Sequence, residues 1–293
     1  MQLVQDIEIR LLFESDIPAA MKLKEAAGWN QTEDDWRRLI RLEPAGCFAA
    51  IRNHELVGTT TTTTYKDQLA WVGMVLVDPQ NRRQGIATKL METALEYLKG
   101  KVATVKLDAT AQGKPVYERF GFAVESLVER WVGTIKSTSN DRSGGTHFEL
   151  TAATMNAGVQ RELMDLDRRA FGSDRSSLIQ SLMDEATIAP VVKHSAEGKL
   201  GGYALARRGT KANYLGPVVA TDPGQAESLI DEMLGRMSDS RVYIDFNCEC
   251  SAQVSVLADR GFVKERDLIR MSVGAATKKT SPFVVAIAGP EVG

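Results

Sequence analysis

The chain has 293 residues, a length that fits two domains of ordinary size. Its 36 Lys and Arg nearly balance 38 Asp and Glu, and the net charge of −2 argues against a general nucleic-acid binder. With 43% hydrophobic and 25% charged residues the chain can bury true cores, while three cysteines (Cys47, Cys248, Cys250) and three histidines (His54, His147, His194) give neither a disulfide framework nor a metal-binding spacing.

Met1 to Arg10 reads as a strand carrying acids, not as the basic and then apolar pattern of a signal peptide. No apolar run approaches the roughly 18 residues of a membrane span. A soluble, cytoplasmic protein with no membrane partner is therefore expected. Ile7–Leu12 predicts a first strand and Ile17–Ala27 an amphipathic helix. Trp29, Asn30 and Trp36 follow; Trp36, at helical spacing with Leu39 and Ile40, reads as core. Cys47–Ile51 and Leu56–Thr64 flank Asn53-His54 and predict a hairpin. Its second arm contains the run Thr59–Thr64, a good strand former with hydroxyls on both faces, which either lines a site or forms a solvated edge. Ala70–Val77 reads as a buried strand containing Trp71 and Gly73. That glycine marks either a strand irregularity or close packing beneath a helix.

The sharpest local signal runs from Val75 to Ala87, out of this strand, through Asp78-Pro79, into a helical pattern at Ala87–Leu98. Pro79 has no N–H to donate and ends the strand pairing. Gly85 lets the backbone approach a ligand without a Cβ in the way. N–H groups from Arg83 to Thr88 would lie at a helix N-terminus, where unpaired donors and the helix dipole favour an anion. Arg82 and Arg83 add cations suited to a pyrophosphate. An ordinary turn with solvated arginines is the plainer reading. Neither G-x-G-x-x-G nor G-x-x-x-x-G-K-[ST] occurs, which excludes the two commonest phosphate loops. A further strand is expected at Ala103–Asp108, then a helix around Tyr117.

The polar stretch from Ser137 to Gly145 has linker composition and lies near the midpoint. On either side an internal duplication is visible. Val116, Gly121, Phe122, Glu125 and Arg130 are matched by Val256, Gly261, Phe262, Glu265 and Arg270, all at a separation of 140 positions. The other elements recur in order: a strand at Phe148–Thr151, a helix at Val159–Ala170, a hairpin from Val191–Lys193 and Leu200–Arg207, and a strand at Asn213–Ala220 that runs into Asp222-Pro223. A helix at Ala226–Met237 and a strand at Arg241–Asn247 complete the series. The expected organisation is a domain at 1–136, a linker at 137–146, a second domain at 147–275 and a tail at 276–293. That tail contains the apolar stretch Phe283–Ala288, either a strand on the second half or a contact to a partner chain.

Arg82-x-x-Gly85-x-Ala87 resembles the R/Q-x-x-G-x-G/A signature of the GNAT superfamily of acyl-CoA-dependent N-acetyltransferases. The strand entering Asp78-Pro79 and the later Tyr117-x-x-x-Gly121-Phe122 match the same pattern in order. The likeness covers roughly residues 7–133, with a weaker echo at 148–274. It implies a mixed α/β fold of two tandem GNAT-like domains and acetyl-CoA as cosubstrate, with no metal. It further implies that Arg82, Arg83, Gln84, Gly85, Ile86, Ala87 and Thr88 hold the pyrophosphate. Val75, Leu76 and Val77 would pair with the pantetheine arm as with an added strand.

By the same resemblance Tyr117 is the general acid for the leaving thiolate, although a phenol on an amphipathic helix also suits a core role. Thr110 stands where many relatives have a CoA-contacting asparagine. The strands Ala70–Val77 and Val102–Leu107 contain no glutamate to act as the usual base; Asp108 is the nearest acid, as base or as helix cap. The acceptor pocket would take Trp29, Asn30 and Trp71, and its ligand would be a primary amine of a small molecule or peptide. In the second half no arginine turn follows Asp222-Pro223 and Leu257 replaces Tyr117, so that half is expected to be a degenerate copy. Phe171 to Arg175 is a loop of mixed chemistry that either serves a pocket or forms an exposed turn, the plainer reading, and Cys248 and Cys250 either bind metal or respond to oxidation or, more plainly, are buried thiols. The alternative function is a non-catalytic acyl-CoA-binding sensor or scaffold.

Overall fold

The computed structural model describes residues 7–136, 155–195, 197–247, 257–275, 281 and 283–293. The linker stretch, the strand expected at Phe148–Thr151 and both Cys248 and Cys250 lie outside these residues. The chain divides into two compact units, each a mixed sheet with helices. One is Met1–Val124, Arg270–Thr277 and Pro290–Gly293; the other is Glu125–Ile269 and Lys278–Gly289. Among the described residues no helix is long and apolar enough to cross a membrane.

In the first unit the elements are β1 (Glu8–Leu11), α1 (Ile17–Ala26), α2 (Glu33–Leu42), β2 (Cys47–Arg52), β3 (Glu55–Tyr65), β4 (Leu69–Val77), α3 (Ile86–Leu98), β5 (Thr104–Ala109) and α4 (Lys114–Glu118). Strands β1 to β4 form an antiparallel meander, and β5 joins β4 in parallel. One face packs under α3, where Ile86, Leu90 and Ala94 meet Phe48, Ala50 and Val57. Helices α1 and α2 pack against β3, as the fully buried Trp36 requires. Strand β3 is central, so the threonines Thr59–Thr63 are buried and the solvated-edge reading does not hold.

Two irregularities open this sheet. Thr61 pairs with Gly73 but Thr59 pairs with Leu76, which leaves a bulge immediately after Gly73, and Met74 there adopts φ +48°. The Thr59 hydroxyl donates to the Met74 carbonyl at 2.8 Å and fixes the distortion. Pairing of β4 with β5 runs from Leu69–Thr104 to Trp71–Lys106 and goes no further, so the two strands part at the same level as the bulge.

The second unit contains β6 (Ala123–Thr134), α5 (Ala157–Phe171), α6 (Ser176–Asp184), β7 (Val191–His194), β8 (Leu200–Arg207), β9 (Asn213–Ala220), α7 (Pro223–Arg236), β10 (Arg241–Asn247) and β12 (Val284–Ala286), with most of β11 (Val263–Gly274). Its strand order is β6-β10-β12-β9-β8-β7. Leu229, Ile230 and Met233 of α7 pack with Ala204, Val218, Ile244, Phe246 and Leu257 to form its core.

The last strand of each half is taken up by the unit built from the other half. Strand β6 pairs antiparallel with β10, and the end of β11 lies beside β5. A buried ion pair accompanies each exchange: Arg130 grips Asp245 at 2.7 and 2.6 Å, and Arg270 grips Asp108 at 2.9 Å on both oxygens. The arginines are the duplicated pair recognised in the sequence. A bidentate fork inside a dry sheet makes each arginine specific for the acid it faces.

Candidate active site

The turn between β4 and α3 forms as its sequence dictates. The Asp78 carboxylate accepts from the Gln80 N–H at 2.7 Å and starts a short 3-10 turn over Pro79–Asn81. Arg83 and Gly85 both take the left-handed conformation, with φ of +61° and +81°. A Cβ on Gly85 would meet nothing within 4 Å, so its glycine is demanded by conformation and not by crowding. The first intrahelical bond of α3 is Lys89 N–H to the Gly85 carbonyl at 3.0 Å, so the N–H groups of Ile86, Ala87 and Thr88 have no acceptor within the helix. Arg82 to Gly85 are exposed around them. Arg82 Nε is tied to the Val77 carbonyl at 3.2 Å. Arg52, at the end of β2, donates to Gln84 Oε1 at 2.5 Å and to Asn81 Oδ1 at 2.9 Å, bracing the turn. Nothing in the sequence flags Arg52, since the hairpin alone brings it there.

Val75, Leu76 and Val77 form the stretch of β4 beyond the fork, where its register with β5 has ended. Tyr117 lies on α4, buried, with its ring edge-on to Phe122 at 6.2 Å. Burial pushes its phenol well above the ordinary range, so the group keeps its proton. Thr110 acts locally, its hydroxyl accepting from the Gly113 N–H at 3.1 Å at the start of α4. Asp108 does not cap that helix. It is fully buried against Arg270, whose guanidinium also lies 4.7 Å from the Trp71 ring centre.

The expected acceptor residues are organised by two helix caps. Helix α1 ends in a Schellman arrangement, with Gly28 at φ +72°, its N–H on the Glu25 carbonyl, and the Trp29 N–H on the Lys24 carbonyl at 3.1 Å. Helix α2 begins with a capping box in which Thr32 and Asp35 bond each other's backbone. The short loop of Trp29, Asn30 and Gln31 is held at both ends, with Trp29 half-buried and Asn30 and Gln31 buried. Trp71 is fully buried and donates from Nε1 to the Pro290 carbonyl at 3.0 Å. The residues missed from sequence are Gln31 and Glu291, whose side chains bond at 2.8 Å across 260 positions of chain. Only the tail's return to this unit could have revealed that pair.

Corresponding parts of the second unit are filled or replaced. Asp222 accepts from the Gln225 N–H at 2.9 Å and α7 starts at once at Pro223, so a carboxylate caps the helix end that stays open above Gly85. Strands β9 and β10 pair from Asn213–Val242 to Leu215–Ile244 and then part, but β12 enters the gap and pairs with both. Leu257 is buried in the core. The segment from Phe171 to Arg175 is not an exposed turn: Arg175 is 1% exposed and doubly bonded to buried Asp167, which also accepts from the Tyr203 hydroxyl. Charge pairing draws the arginine inward. Among the described residues no three His, Cys, Asp or Glu side chains gather as a metal ion would need.

Residues 12–122 match the Acetyltransferase (GNAT) family, and residues 163–282 match an Acetyltransferase (GNAT) domain. An uncharacterized N-acetyltransferase of Bacillus subtilis, YitH, is 25% identical over 266 residues, covering 88% of each chain. The holothin acyltransferase of a Pseudoalteromonas species is 24% identical, covering 92% of this chain and 88% of its own. A solved structure from Pyrococcus horikoshii, described as a candidate acetyltransferase, superposes with a TM-score of 0.80 at 21% identity, over 100% of this chain and 98% of that one. A tandem GNAT protein from the clavulanic acid biosynthesis pathway covers 93% of this chain and 100% of its own, with a TM-score of 0.57 at 14% identity. These structural likenesses carry the fold.

Proposed function

The chain belongs to the GNAT superfamily with two domains in tandem and is an acyltransferase of that type, and from this we propose that its first unit moves an acetyl group from acetyl-CoA to a primary amine. The observation that carries the proposal is the Arg82–Thr88 turn, with its open helix N-terminus beside a forked strand. Unpaired N–H groups and two arginines suit a pyrophosphate. The edge of Val75–Val77 that β5 leaves, opposite its pairing with β3, suits a pantetheine amide arm, which offers the donors and acceptors of a strand. Acetyl-CoA would supply the activated thioester. This chain's residues hold it, exclude water and move protons.

Tyr117 serves as the general acid. The phenol is protonated at neutral pH, and a thiolate leaving nearby would take that proton despite the burial that makes the group a weaker acid. Asp108 is assigned a positioning role instead of the base. Protonating it would leave the buried Arg270 charge without its partner, which opposes proton uptake. The second unit holds no acyl-CoA, since its strand gap contains β12 and its helix N-terminus is capped by Asp222.

The test is titration with acetyl-CoA followed by an assay for released CoA over a panel of small primary amines. Saturable binding with amine-dependent release supports the proposal. Tight binding without release would instead mark a non-catalytic sensor.

A further inference from the structure

We infer that Glu291, delivered by the chain's tail, is the general base and ammonium anchor of the first unit, and that Gln31, Thr61 and Thr63 complete the acceptor subsite with it. The assignment rests on the amine-acylation reading above and deepens it: the acceptor is a small polar molecule bearing a protonated primary amine.

Neither β4 nor β5 contains a glutamate, so the base must come from elsewhere. Glu291 lies directly over Gly73, where a Cβ would come within 2.6–2.8 Å of its backbone and 2.9 Å of its Cβ. That is the level at which β4 bulges and leaves β5. The tail is seated by three further contacts: the Tyr65 hydroxyl donates to the Val292 carbonyl at 2.6 Å, Trp71 Nε1 donates to Pro290, and Gly293 lies on the Trp71 ring. Glu291 is 3% exposed, and its carboxylate receives Gln31 Nε2 at 2.8 Å.

A second, independent observation points to a ligand. A carboxylate can only accept, so Gln31 must turn its NH2 toward Glu291 and its carbonyl oxygen away. That oxygen is buried without a hydrogen-bond partner, as are the hydroxyls of Thr61 and Thr63. Thr61 and Thr63 pair with Gly73 and Trp71 across the strands, which places them on the face that Glu291 covers. Buried polar atoms left unpaired are costly, and here the Gln31 amide oxygen and two threonine hydroxyls, all able to accept, are left so on the elements that meet Glu291. An ammonium group has only donors and would satisfy this set.

The reaction balances with acetyl-CoA alone as co-reactant. Glu291 takes a proton from the ammonium, the nitrogen lone pair forms the C–N bond at the thioester carbon, the C–S bond breaks, and the thiolate takes the Tyr117 proton.

The test compares the full wild-type chain with Glu291→Gln and Glu291→Asp, using acetyl-CoA calorimetry and CoA release over a panel of cadaverine, glucosamine and lysine amide. Glu291→Gln should cut kcat about a hundredfold while the acetyl-CoA Kd stays within about twofold, and Glu291→Asp should recover part of the rate. The deficit should shrink toward pH 10, where the amine sheds its proton to solvent. Unchanged or increased turnover in Glu291→Gln overturns the assignment and leaves the acyltransferase reading standing. Wild-type protein that binds acetyl-CoA yet acylates none of the panel also overturns it. Wild-type protein that fails to bind acetyl-CoA overturns both.

Discussion

At the scale of single residues, the chemistry is decided by what each polar group faces. Tyr117 is buried edge-on to Phe122, and desolvation holds its proton in place. Tyr117→Phe should lower kcat about a hundredfold with acetyl-CoA affinity nearly unchanged, read by steady-state kinetics beside calorimetry. The same burial fixes the pH behaviour. A raised pKa keeps the acid form present throughout the neutral range, so ionisation of this phenol produces no fall in kcat below about pH 10. Asp108 faces Arg270 instead, and both are buried. Asp108→Asn should destabilise the fold by about 3–5 kcal/mol in denaturant melts, because it strands a buried guanidinium charge. Full stability with lost turnover would make Asp108 the base after all. Sequence spacing singled out Tyr117, Asp108 and Trp71 as candidates but could not tell an acid waiting for a proton from one already in an ion pair. That distinction belongs to β11, which arrives from 162 positions away.

At the scale of elements, the turn between β4 and α3 was the most legible feature. Its conformation is local: a proline ends the strand, a left-handed glycine starts the helix, and two arginines lie between. Gly85→Val should weaken acetyl-CoA binding at least tenfold through strain at φ +81° and a side chain where the ligand approaches, with the melting temperature showing that the unit still folds. Strand and helix positions were also readable from hydrophobic period, and most lie within a few residues of expectation. The threonine run was not, because β-propensity does not tell a central strand from an edge. Nor was the tail. Phe283–Ala288 reads as a strand or as a contact to a partner chain, and the place of Val284–Ala286 between β9 and β10 depends on a fork formed by two distant strands.

For the molecule as a whole, duplication explains the pairing and its decay explains the division of work. The halves kept the arginine that locks each exchanged strand, at Arg130 and Arg270, and diverged in the parts that would hold a cosubstrate. Sequence showed the repeat and the missing turn. It could not show the exchange, because both halves offer the same strand pattern to either sheet. Nor could it show that the second unit's gap is filled by β12 while the tail's last residues line the first unit's bulge. With one functional centre per chain, calorimetric titration of the full chain with acetyl-CoA should give a stoichiometry of one, with that binding lost in Gly85→Val. Two sites per chain, or one site untouched by the Gly85 substitution, would contradict that single centre.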